Sequence, residues 1–571
     1  MGTEVGEVVG YTVRFEDASS RRTKIKYLTD GMLLREAMAD SLLMSYNVLI
    51  LDEAHERTVH TDVLFGIVKE AQKIRKERNL APLKLLIMSA TMDVDHFSKY
   101  FNDCKTVYVE GRTHPVDVYH SVEPQEDYQF SCLVTLFKIH REAPPNHDVL
   151  IFLTGQEEIE AMVSTIHNIS KDPELSKCPT MKVYPLYASL PSEHQLDVFK
   201  PTPQNVRKVI LSTNIAETSL TITGVRYVID SGMVKARSYR ALTGLDSLKV
   251  QRISQAQAWQ RTGRAGRDSK GSCYRMFTKS QYQLMRKTTL PEIQRCNLSS
   301  VVLQLLALGI HAAKFDFMDK PYPDALNKAF EQLKLLGAIE STSDSKLTAL
   351  GKKMAQFPVD PRFSKILIAS KDYCCMEEML SIIAILSSES VVVTPVNKRE
   401  QAVAARQKFT SPHGDHITLL NIYRGFSNSG QKKHWCFENF LNYRNLFYAR
   451  EVRSQLAEIC QRCDIPLSSC GSNMVQVRKC LITGLFMNVA EYYRNQVNGS
   501  HFVTLDSNQV VSIHPSSVLH GMKPHCVLFT EVVYTSNCYL RFLSTIDPEW
   551  LTEIVPEYMK NHHLAAAVRG N

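Results

Sequence analysis

The first half of the sequence predicts an α/β fold built on parallel sheets. Its apolar residues occur in short, continuous runs rich in β-branched residues, and amphipathic helical stretches separate the runs. Such runs are typical of strands that are buried on both faces of a parallel sheet. A buried helix is the competing interpretation of any single run, but the recurrence of the pattern favours strands. The runs are Val48–Leu51, Leu83–Met88, Val149–Leu153, Val209–Leu211 and Tyr227–Ile229.

Length and charge define the general class of protein. A chain of 571 residues is too long for one hydrophobic core, and about 150 residues per domain predicts roughly four domains. The hydrophobic content of 44% and the charged content of 22% are those of an ordinary globular protein. The formal net charge of +8 is a mild basic excess, which is compatible with nucleic-acid binding but does not establish it.

The sequence also predicts a reducing compartment. The first ten residues, MGTEVGEVVG, lack the apolar segment of a secretory signal, and no uninterrupted apolar run approaches the ~18 residues of a membrane span. We therefore expect a protein that is not secreted and whose 14 cysteines are free thiols. Cys460 and Cys463, with Cys470 and Cys480 downstream, are compatible with zinc, but buried thiols on helices are favoured because the second half is not a C-x-x-C pattern.

Polar clusters follow the predicted strands. In an open α/β sheet, ligands bind outside the carboxyl ends of the strands, so several such clusters predict a composite site. Each strand is then a rigid mount, and the polar residues after it carry the chemistry. The clusters are DEAH (Asp52–His55), SAT (Ser89–Thr91), TGQEEIE (Thr154–Glu160), STNIAETS (Ser212–Ser219) and DSG (Asp230–Gly232).

Two of these residues suit phosphate chemistry. A carboxylate at Asp52 can hold Mg²⁺ through water, because Mg²⁺ takes few protein oxygens and keeps several of its waters. A second carboxylate at Glu53 can orient and polarise an attacking water. Taken alone, Asp-Glu after a strand is more often the N-cap of a helix. The other motifs favour catalysis.

The segment QRTGRAGR, Gln260–Arg267, combines three arginines with two glycines. Planar, permanently charged guanidinium groups suit the charge that develops on a transferring γ-phosphoryl group, and the glycines allow the backbone to come close. A basic surface turn and a bare nucleic-acid patch are the alternatives.

In combination, these residues resemble one family closely, the DEAH-box (DEAH/RHA) helicases of superfamily 2. LDEAHERT resembles the family's motif II, SAT its motif III, FLTGQEEIE its motif IV, STNIAETSLTI its motif V and QRTGRAGR its motif VI. The resemblance covers the chain from about residue 5 to about residue 560. It implies two RecA-like parallel-sheet domains, the first of them incomplete, followed by winged-helix, helical-bundle and OB-fold domains.

The resemblance implies roles in nucleotide hydrolysis for motifs II and III. Asp52 would help to hold Mg²⁺, and Glu53, beside the same metal, would activate the hydrolytic water. His55, together with Ser89 and Thr91, would couple the state of the nucleotide to the second domain.

Motif VI and its neighbours would complete the nucleotide site. The resemblance makes Arg264 and Arg267 arginine fingers and places Gln260 near the γ-phosphate or its water. Phe199, in LDVFKPTP, resembles the family's base-stacking phenylalanine, and Asp230 would reach the ribose. Because a π-face does not discriminate between bases, ATP or any other nucleoside triphosphate would serve as substrate, with Mg²⁺.

On the RNA side, five residues resemble positions that contact the backbone of a single strand. Small hydroxyls and amides at strand ends suit phosphate and sugar contacts, which fix register without reading sequence. We therefore expect binding that is largely independent of sequence. The residues are Thr29 and Arg35 in YLTDGMLLRE, Thr154 with Gly155, and Thr213. The segment Met233–Gln251 resembles the family's β-hairpin.

The remaining chain matches the same domain order. The predicted boundaries are 1–118 for the partial first RecA-like domain, 119–285 for the second, 286–355 for the winged helix, 356–478 for the helical bundle, 479–560 for the OB-fold and 561–571 for the tail. A plain helical scaffold is the alternative for the bundle, because periodicity alone does not distinguish it from helices that line an RNA channel.

One family motif is missing. The phosphate loop G-x-x-x-x-G-K-[S/T] does not occur, and the one Gly-Lys pair, Gly351-Lys352, is followed by Lys353. In the family, this loop precedes the stretch GEVVGYTVRFED near the start of the chain. We therefore expect a chain shortened at its N-terminus. Without the loop the triphosphate loses most of its donors, and we expect negligible ATPase activity.

Two functions follow from this. By resemblance the protein is an ATP-dependent RNA helicase that translocates 3′→5′ on single-stranded RNA, with room for a protein activator on its C-terminal domains. The alternative is a non-enzymatic RNA-binding module derived from a helicase. A DNA helicase is a weaker third reading, since backbone contacts do not reveal recognition of the 2′-hydroxyl. No membrane association is expected, and the family favours the nucleus or nucleolus over the cytoplasm.

Overall fold

The computed structural model of the chain contains two compact units. The first comprises Met1–Met92, Arg237–Ser247 and Pro291–Asn571, and the second comprises Asp93–Ala236 and Leu248–Leu290. Within the described part of the chain, no helix is both long enough and apolar enough to cross a bilayer. The structure describes residues 2–562 except for 14–15, 91–92, 112–113, 173–177, 189, 191, 202, 204, 219, 241–244, 343–345, 395–397, 496–498, 535–536 and 561.

The N-terminal part of the first unit contains two small sheets and two helices. In chain order its elements are β1 (Val9–Val13), β2 (Glu16–Ala18), β3 (Ile25–Leu28), α1 (Asp30–Ala39), β4 (Val48–Leu51), α2 (Val59–Glu77) and β5 (Lys84–Ile87). β1 lies between β2 and β3 in one sheet, and β4 pairs with β5 in parallel in the other. The parallel pairing of these two predicted strands is confirmed.

The prediction that both faces of every strand are buried is wrong for β4 and β5. Along β4, Leu49 and Leu51 are buried, whereas Val48 and Ile50 are 49% and 53% exposed. Leu86 on β5 is 46% exposed on the same pattern. An apolar run shows that a strand is able to be covered on both sides, but coverage also needs a second layer of chain. Among the described residues, that layer covers one face of this sheet.

The second unit follows with an alternation of strands and helices. Its elements are α3 (Val94–Tyr100), β6 (Val116–His120), α4 (Tyr128–Glu142), β7 (Asp148–Phe152), α5 (Gln156–Ile169), β8 (Thr180–Leu186), α6 (Ser192–Asp197), β9 (Val206–Ser212), β10 (Val225–Asp230), β11 (Met233–Arg240), β12 (Leu245–Arg252), α7 (Gln255–Gly263), β13 (Gly271–Arg275) and α8 (Lys279–Leu284). The β11–β12 pair confirms the predicted hairpin, although part of it belongs to the first unit.

Six of these strands form one parallel sheet in the order β6-β13-β10-β7-β9-β8. Every residue of β7 is buried, and separate apolar clusters cover the two faces of the sheet. This is the doubly covered parallel sheet that continuous apolar runs predict. The carboxyl ends of β7, β9 and β10 therefore lie at one edge, as the argument about polar clusters requires.

The C-terminal part of the first unit is helical and then forms a barrel. Its elements are α9 (Ser299–Ala307), α10 (Pro323–Leu335), α11 (Ala349–Met354), α12 (Pro361–Ala369), α13 (Met376–Leu386), α14 (Arg399–Arg406), α15 (Asp415–Asn428), α16 (Lys433–Glu438), α17 (Tyr443–Arg462), α18 (Met474–Leu485), β14 (Val489–Asn495), β15 (Gly499–Thr504), β16 (Val510–Ile513), β17 (Cys526–Tyr534), β18 (Cys538–Thr545), α19 (Pro548–Ile554) and α20 (Pro556–Met559).

The five C-terminal strands close into a barrel in the order β14-β15-β16-β18-β17, which is the predicted OB-fold architecture. In the helical part before it, Cys460 on α17 and Cys480 on α18 are buried, in line with the buried-thiol interpretation. The fold class predicted from the sequence is therefore confirmed.

The N-terminus of α15 connects the helical part to the barrel. Gly414 adopts φ 114° and pairs with Ser544 of β18, where a side chain would collide with the backbone of Leu543. The next residues, Asp415 and His416, are buried among polar groups of the barrel. This close approach explains why a glycine stands before the helix.

Candidate functional site

The DEAH residues form a sharp turn at the carboxyl end of β4. Glu53 has a left-handed backbone, with φ 51°, and the 3₁₀ turn Ala54–Glu56 follows it. Asp52 Oδ1 accepts a hydrogen bond from the Glu53 N–H at 2.8 Å, and both residues are exposed. The turn directs two carboxylates away from the sheet and into solvent. Two hard oxygen donors at an open position fit Mg²⁺, which completes its shell with water and phosphate oxygens.

His55 connects the DEAH turn to the SAT motif. The Ala90 N–H donates to His55 Nδ1 at 3.3 Å, and the Ala54 N–H donates to the carbonyl of Met88 at 2.9 Å. His55 Nδ1 also lies 3.4 Å from Glu53 Oε2, so the ring contacts both a carboxylate of the DEAH turn and the backbone of SAT.

The structure thus brings motifs II and III together through the backbone of Ala90. Nε2 of His55 is buried and has no hydrogen-bond partner within the described part of the chain. Ser89 is exposed beside this contact, and Thr91 lies outside the described residues. A buried ring nitrogen without a partner is uncommon in a folded protein.

Motif VI lies at the end of α7 and in the turn that follows. Arg264 donates from Nη1 to the carbonyl of Leu220 at 2.6 Å and from Nη2 to that of Thr218 at 2.9 Å, and it also bonds the carbonyl of Glu217. Arg267 makes a longer bond of 3.5 Å to the Leu220 carbonyl, and burial lowers its pKa. In this conformation Arg264 therefore holds the backbone of motif V.

Asp230 and Glu217 share a buried arginine. Arg261 is fully buried, donates from Nε to Glu217 Oε2 at 2.9 Å and from Nη1 to Asp230 Oδ1 at 2.8 Å, and lies over the ring of Phe152. Burial raises the pKa of Glu217, and Arg261 offsets part of that rise. Asp230 also accepts from the Gly232 N–H at 2.9 Å and is 0% exposed. In this conformation, no oxygen of Asp230 is open to a ribose hydroxyl.

Three expected RNA contacts lie together at the carboxyl edge of the large sheet. Thr154 and Gly155 follow β7, Thr213 follows β9, and the two strands are adjacent. Thr154 is buried, and its N–H donates to Glu158 Oε2 at 3.1 Å, whereas Thr213 is half-buried. Gly155 is the N-cap of α5. The edge therefore presents Thr213 and the N-terminus of α5, which suit phosphate, whereas Thr154 lies beneath the surface.

The other expected nucleic-acid contacts have different surroundings. Thr29 is the exposed N-cap of α1 and its hydroxyl does not cap the helix. Arg35, on the same helix, donates from Nη2 to the carbonyl of Gln356 in the C-terminal part of the unit. In the second unit, Phe199 is 39% exposed, and Gln260 is half-buried on α7. Phe199 thus has a ring face available for stacking.

Sequence reasoning missed three residues of these clusters. Arg261 falls on the stripe Ala258, Arg261, Thr262, Ala265, whose helical spacing marks an inward face and could have identified it. Lys235, on β11, lies so near Gly155 that a methyl group there would be 3.8 Å from its Cδ. Arg57 is buried behind the DEAH turn, and its position in a charged motif gave no signal of that burial.

Comparison with known domain families defines the class of protein as a helicase with C-terminal accessory domains. The Helicase conserved C-terminal domain matches residues 128–269, and the oligonucleotide/oligosaccharide-binding (OB)-fold matches residues 477–558. Between them, the Helicase associated domain (HA2) matches as its winged-helix part at 329–359 and its ratchet-like part at 360–419.

Similar proteins identify the family. ATP-dependent RNA helicase DHX33 of Mus musculus is 54% identical over 98% of this chain and 80% of its own length. Its Drosophila melanogaster counterpart is 52% identical, over 98% of this chain and 79% of its own length. Pre-mRNA-splicing factor ATP-dependent RNA helicase DEAH10 of Arabidopsis thaliana is 42% identical, over 98% and 84%. The chain belongs to the DEAH-box family of helicases, as its motifs predict.

Proposed function

We propose that this chain binds single-stranded RNA independently of sequence and carries the catalytic groups of an ATP-dependent RNA helicase on its DEAH turn. The observation that supports the proposal best is the geometry of Asp52 and Glu53, two exposed carboxylates held at the end of a strand. Their turn is tied to motif III through His55 and Ala90. A helicase couples nucleotide hydrolysis to the binding of nucleic acid, and a contact between motifs II and III would serve that coupling.

The carboxylates divide the chemistry between them. Mg²⁺, when bound, would neutralise charge on the phosphate oxygens, and Asp52 would hold it through water. Glu53, with its half-exposed side chain, would orient the attacking water and accept its proton. His55 would report the position of Glu53 to the SAT backbone.

Motif VI would stabilise the charge that develops on the γ-phosphoryl group. Arg267 is the better candidate for contact with phosphate in the conformation seen here, because Arg264 donates to motif V carbonyls. We propose that Gln260 orients the water or the γ-phosphate and that Phe199 stacks on the base. The two sets of residues lie in different units, and the proposal for each rests on its own geometry.

RNA would run along the carboxyl edge of the large sheet. Gly155 and Thr213 offer amide and hydroxyl groups there, Thr154 would join them on leaving Glu158, and Lys235 adds positive charge. In the first unit, we propose that Thr29 contacts RNA backbone and that Arg35 does so on leaving the Gln356 carbonyl. Such groups bind phosphate and sugar and do not read bases.

The hydrolytic rate of the 571-residue chain should be low. The phosphate loop pattern does not occur in its sequence. Loss of a single preorganised donor to a charged transition state costs ~3–4 kcal/mol, so loss of the loop should reduce turnover by several orders of magnitude. Because this pattern does not occur in the sequence, a second candidate function is RNA binding without hydrolysis. A nuclear or nucleolar location and a protein activator remain predictions.

A titration separates the two functions. A labelled single-stranded RNA of about 20 nucleotides is titrated with the chain at several salt concentrations, with and without a non-hydrolysable ATP analogue. We expect a steep salt dependence, similar affinity for RNAs of different sequence and no effect of the analogue. Nucleotide-dependent affinity would argue for the enzyme, and salt-independent or absent binding would refute the RNA proposal.

A matched pair of variants locates the RNA. Thr154→Val with Thr213→Val removes two hydroxyls at the sheet edge and should weaken binding by about 30-fold, since each hydrogen bond contributes about 1 kcal/mol. Thr165→Val is the control, because Thr165 is an exposed residue of α5 that bonds the carbonyl of Ala161 in its own helix. Equal affinities of both variants would place the RNA elsewhere.

A further inference from the structure

The residue that ends the DEAH turn is fastened to a distant part of the same unit. Arg57 has a left-handed backbone, with φ 48°, and is 8% exposed. Glu53 and Arg57 thus flank the turn Ala54–Glu56 with two left-handed residues. Non-glycine residues hold this conformation only when their surroundings enforce it. The contacts of Arg57 show what enforces it at the C-terminal end of the turn.

Two carboxylates bind the Arg57 side chain. Arg57 Nε donates to Asp62 Oδ1 at 2.5 Å and Nη2 donates to Asp62 Oδ2 at 3.1 Å, a forked pair with a residue of α2. Nη2 also donates to Asp319 Oδ2 at 2.6 Å, which lies 262 positions along the chain, beyond α9. Asp62 is 0% exposed, so the fork is closed from water. Geometry of this kind is specific, because a planar guanidinium meets both carboxylates only in one orientation.

The backbone at Arg57 and just after it is held by a second acid from the same distant region, Glu292. Glu292 donates its N–H to the carbonyl of Arg57 at 3.0 Å. Its Oε2 accepts from the N–H of Val59, the first residue of α2, also at 3.0 Å. The end of the turn is therefore fixed by the main chain as well as by the side chain.

Helix α2 continues this contact. A methyl group at Gly66 would collide with the ring of Phe315, so the helix packs closely against that ring only because it has glycine there. One turn further, Lys69 Nζ lies 2.8 Å from Asp316 Oδ2, an exposed ion pair at the margin. The helix that leaves the DEAH turn thus lies against residues 292–319 over about three turns.

We propose that Arg57 is a positioning residue through which residues 292–319, by way of Asp319 and Glu292, set the conformation of the DEAH turn. Displacement of residues 292–319 would release the C-terminal end of the turn and with it the carboxylate of Glu53. The inference rests on the proposed function only in taking Glu53 as a catalytic group. The contacts that connect Arg57 to residues 292–319 do not depend on that role.

Hydrogen exchange of the full chain tests the connection without any need for hydrolysis. The Glu56 and Arg57 amides donate to carbonyls of the turn and the Ala54 amide donates to the carbonyl of Met88, so a peptide over residues 50–58 reports its opening. Asp319→Asn removes one charged acceptor far from this peptide in sequence. We expect exchange in residues 50–58 to rise about fivefold or more, while residues 526–545 of the barrel keep their rate.

Two controls make the effect specific. Lys69→Gln removes the exposed pair at the margin of the same contact and should leave residues 50–58 unchanged. Asp319→Glu restores a carboxylate and should recover most of the protection. If Asp319→Asn leaves the turn unchanged, Arg57 is held by Asp62 alone and the proposal fails.

Global loosening has its own test. If Asp319→Asn speeds exchange in the barrel as well, Glu292→Gln decides, because it weakens the acceptor to Val59 and leaves both ion pairs of Arg57 in place. A rise confined to residues 50–58 then supports the proposal, and the absence of a rise there overturns it. The titration measures RNA affinity and the exchange experiment measures opening of the turn. Failure of this inference would therefore not change the result of the titration, and failure of the RNA proposal would not change the result of the exchange experiment.

Discussion

In the second unit, Arg261 of motif VI forms a buried cluster with two carboxylates. Arg261 is enclosed between Glu217 and Asp230, so three charged groups lie where water does not reach. Desolvation of such groups costs several kcal/mol for each ion, and the attraction between them offsets this cost only while all partners are present. The cluster therefore fixes the relation of α7 to β10 more than it adds stability.

Removal of Arg261 should be strongly destabilising. Arg261→Ala leaves two carboxylates buried without a counter-charge, and we expect a loss of about 3–5 kcal/mol in the free energy of unfolding of the second unit. Urea unfolding of the full chain, followed by exchange of peptides from α7 and β10, measures it. Lys270→Ala is the control, because its ion pair with Asp117 is exposed and should contribute little. Equal losses in the two variants would contradict the argument.

At this scale the sequence predicts which residue types gather, but not which of them face inward. Asp52 and Glu53 could be placed because a strand ends immediately before them. The burial of Asp230 could not be predicted, since it follows an apolar run just as Asp52 does. Its partner Arg261 differs from the other arginines of the motif in lying on the inward stripe of α7, but that stripe does not show which carboxylates meet it.

At the scale of elements, α15 shows how polar groups fasten a helix to a barrel. His416 is 0% exposed, with Nδ1 2.9 Å from Ser544 Oγ and Nε2 2.8 Å from Thr530 Oγ1. Asp415 accepts from the N–H groups of Val518 and Leu543. Burial lowers the pKa of His416 to about 3. The ring is neutral in the folded chain across the whole physiological range.

This burial predicts a loss of stability in acid. The unfolded histidine, with a pKa near 6.5, takes up a proton before the folded one does, so stability falls as pH falls through 6.5 toward 3. Between pH 7 and pH 5, His416 should account for about 2 kcal/mol of lost stability. Urea unfolding of the barrel, compared with His416→Gln at both values, isolates this contribution. Parallel pH dependences of the two proteins would refute it.

The elements themselves were largely predictable, and their coverage was not. Val48–Leu51 is a strand in parallel pairing, as its apolar run predicts, yet Val48 and Ile50 lie open on one face. An apolar run shows that a strand is able to be buried. Whether its faces are buried depends on other segments of the chain that pack against them. The five-stranded barrel could be anticipated from short strands with turns, because closure satisfies their edges internally.

At the scale of the molecule, the helicase C-terminal domain, the two HA2 parts and the OB-fold follow one another along the chain. The parallel sheet, the accessory domains and the barrel confirm the predicted architecture. The rate of hydrolysis depends on a few donors placed within hydrogen-bonding distance of a triphosphate.

The most direct test of the account is RNA-stimulated ATP hydrolysis by this 571-residue chain, measured beside the Mus musculus DHX33 helicase and the variant Glu53→Gln. We predict a turnover at least about 10²-fold below that of the relative, with RNA binding retained. A turnover within tenfold of the relative that Glu53→Gln abolishes would contradict the account, because the chain would then bind and cleave the triphosphate without the phosphate loop pattern.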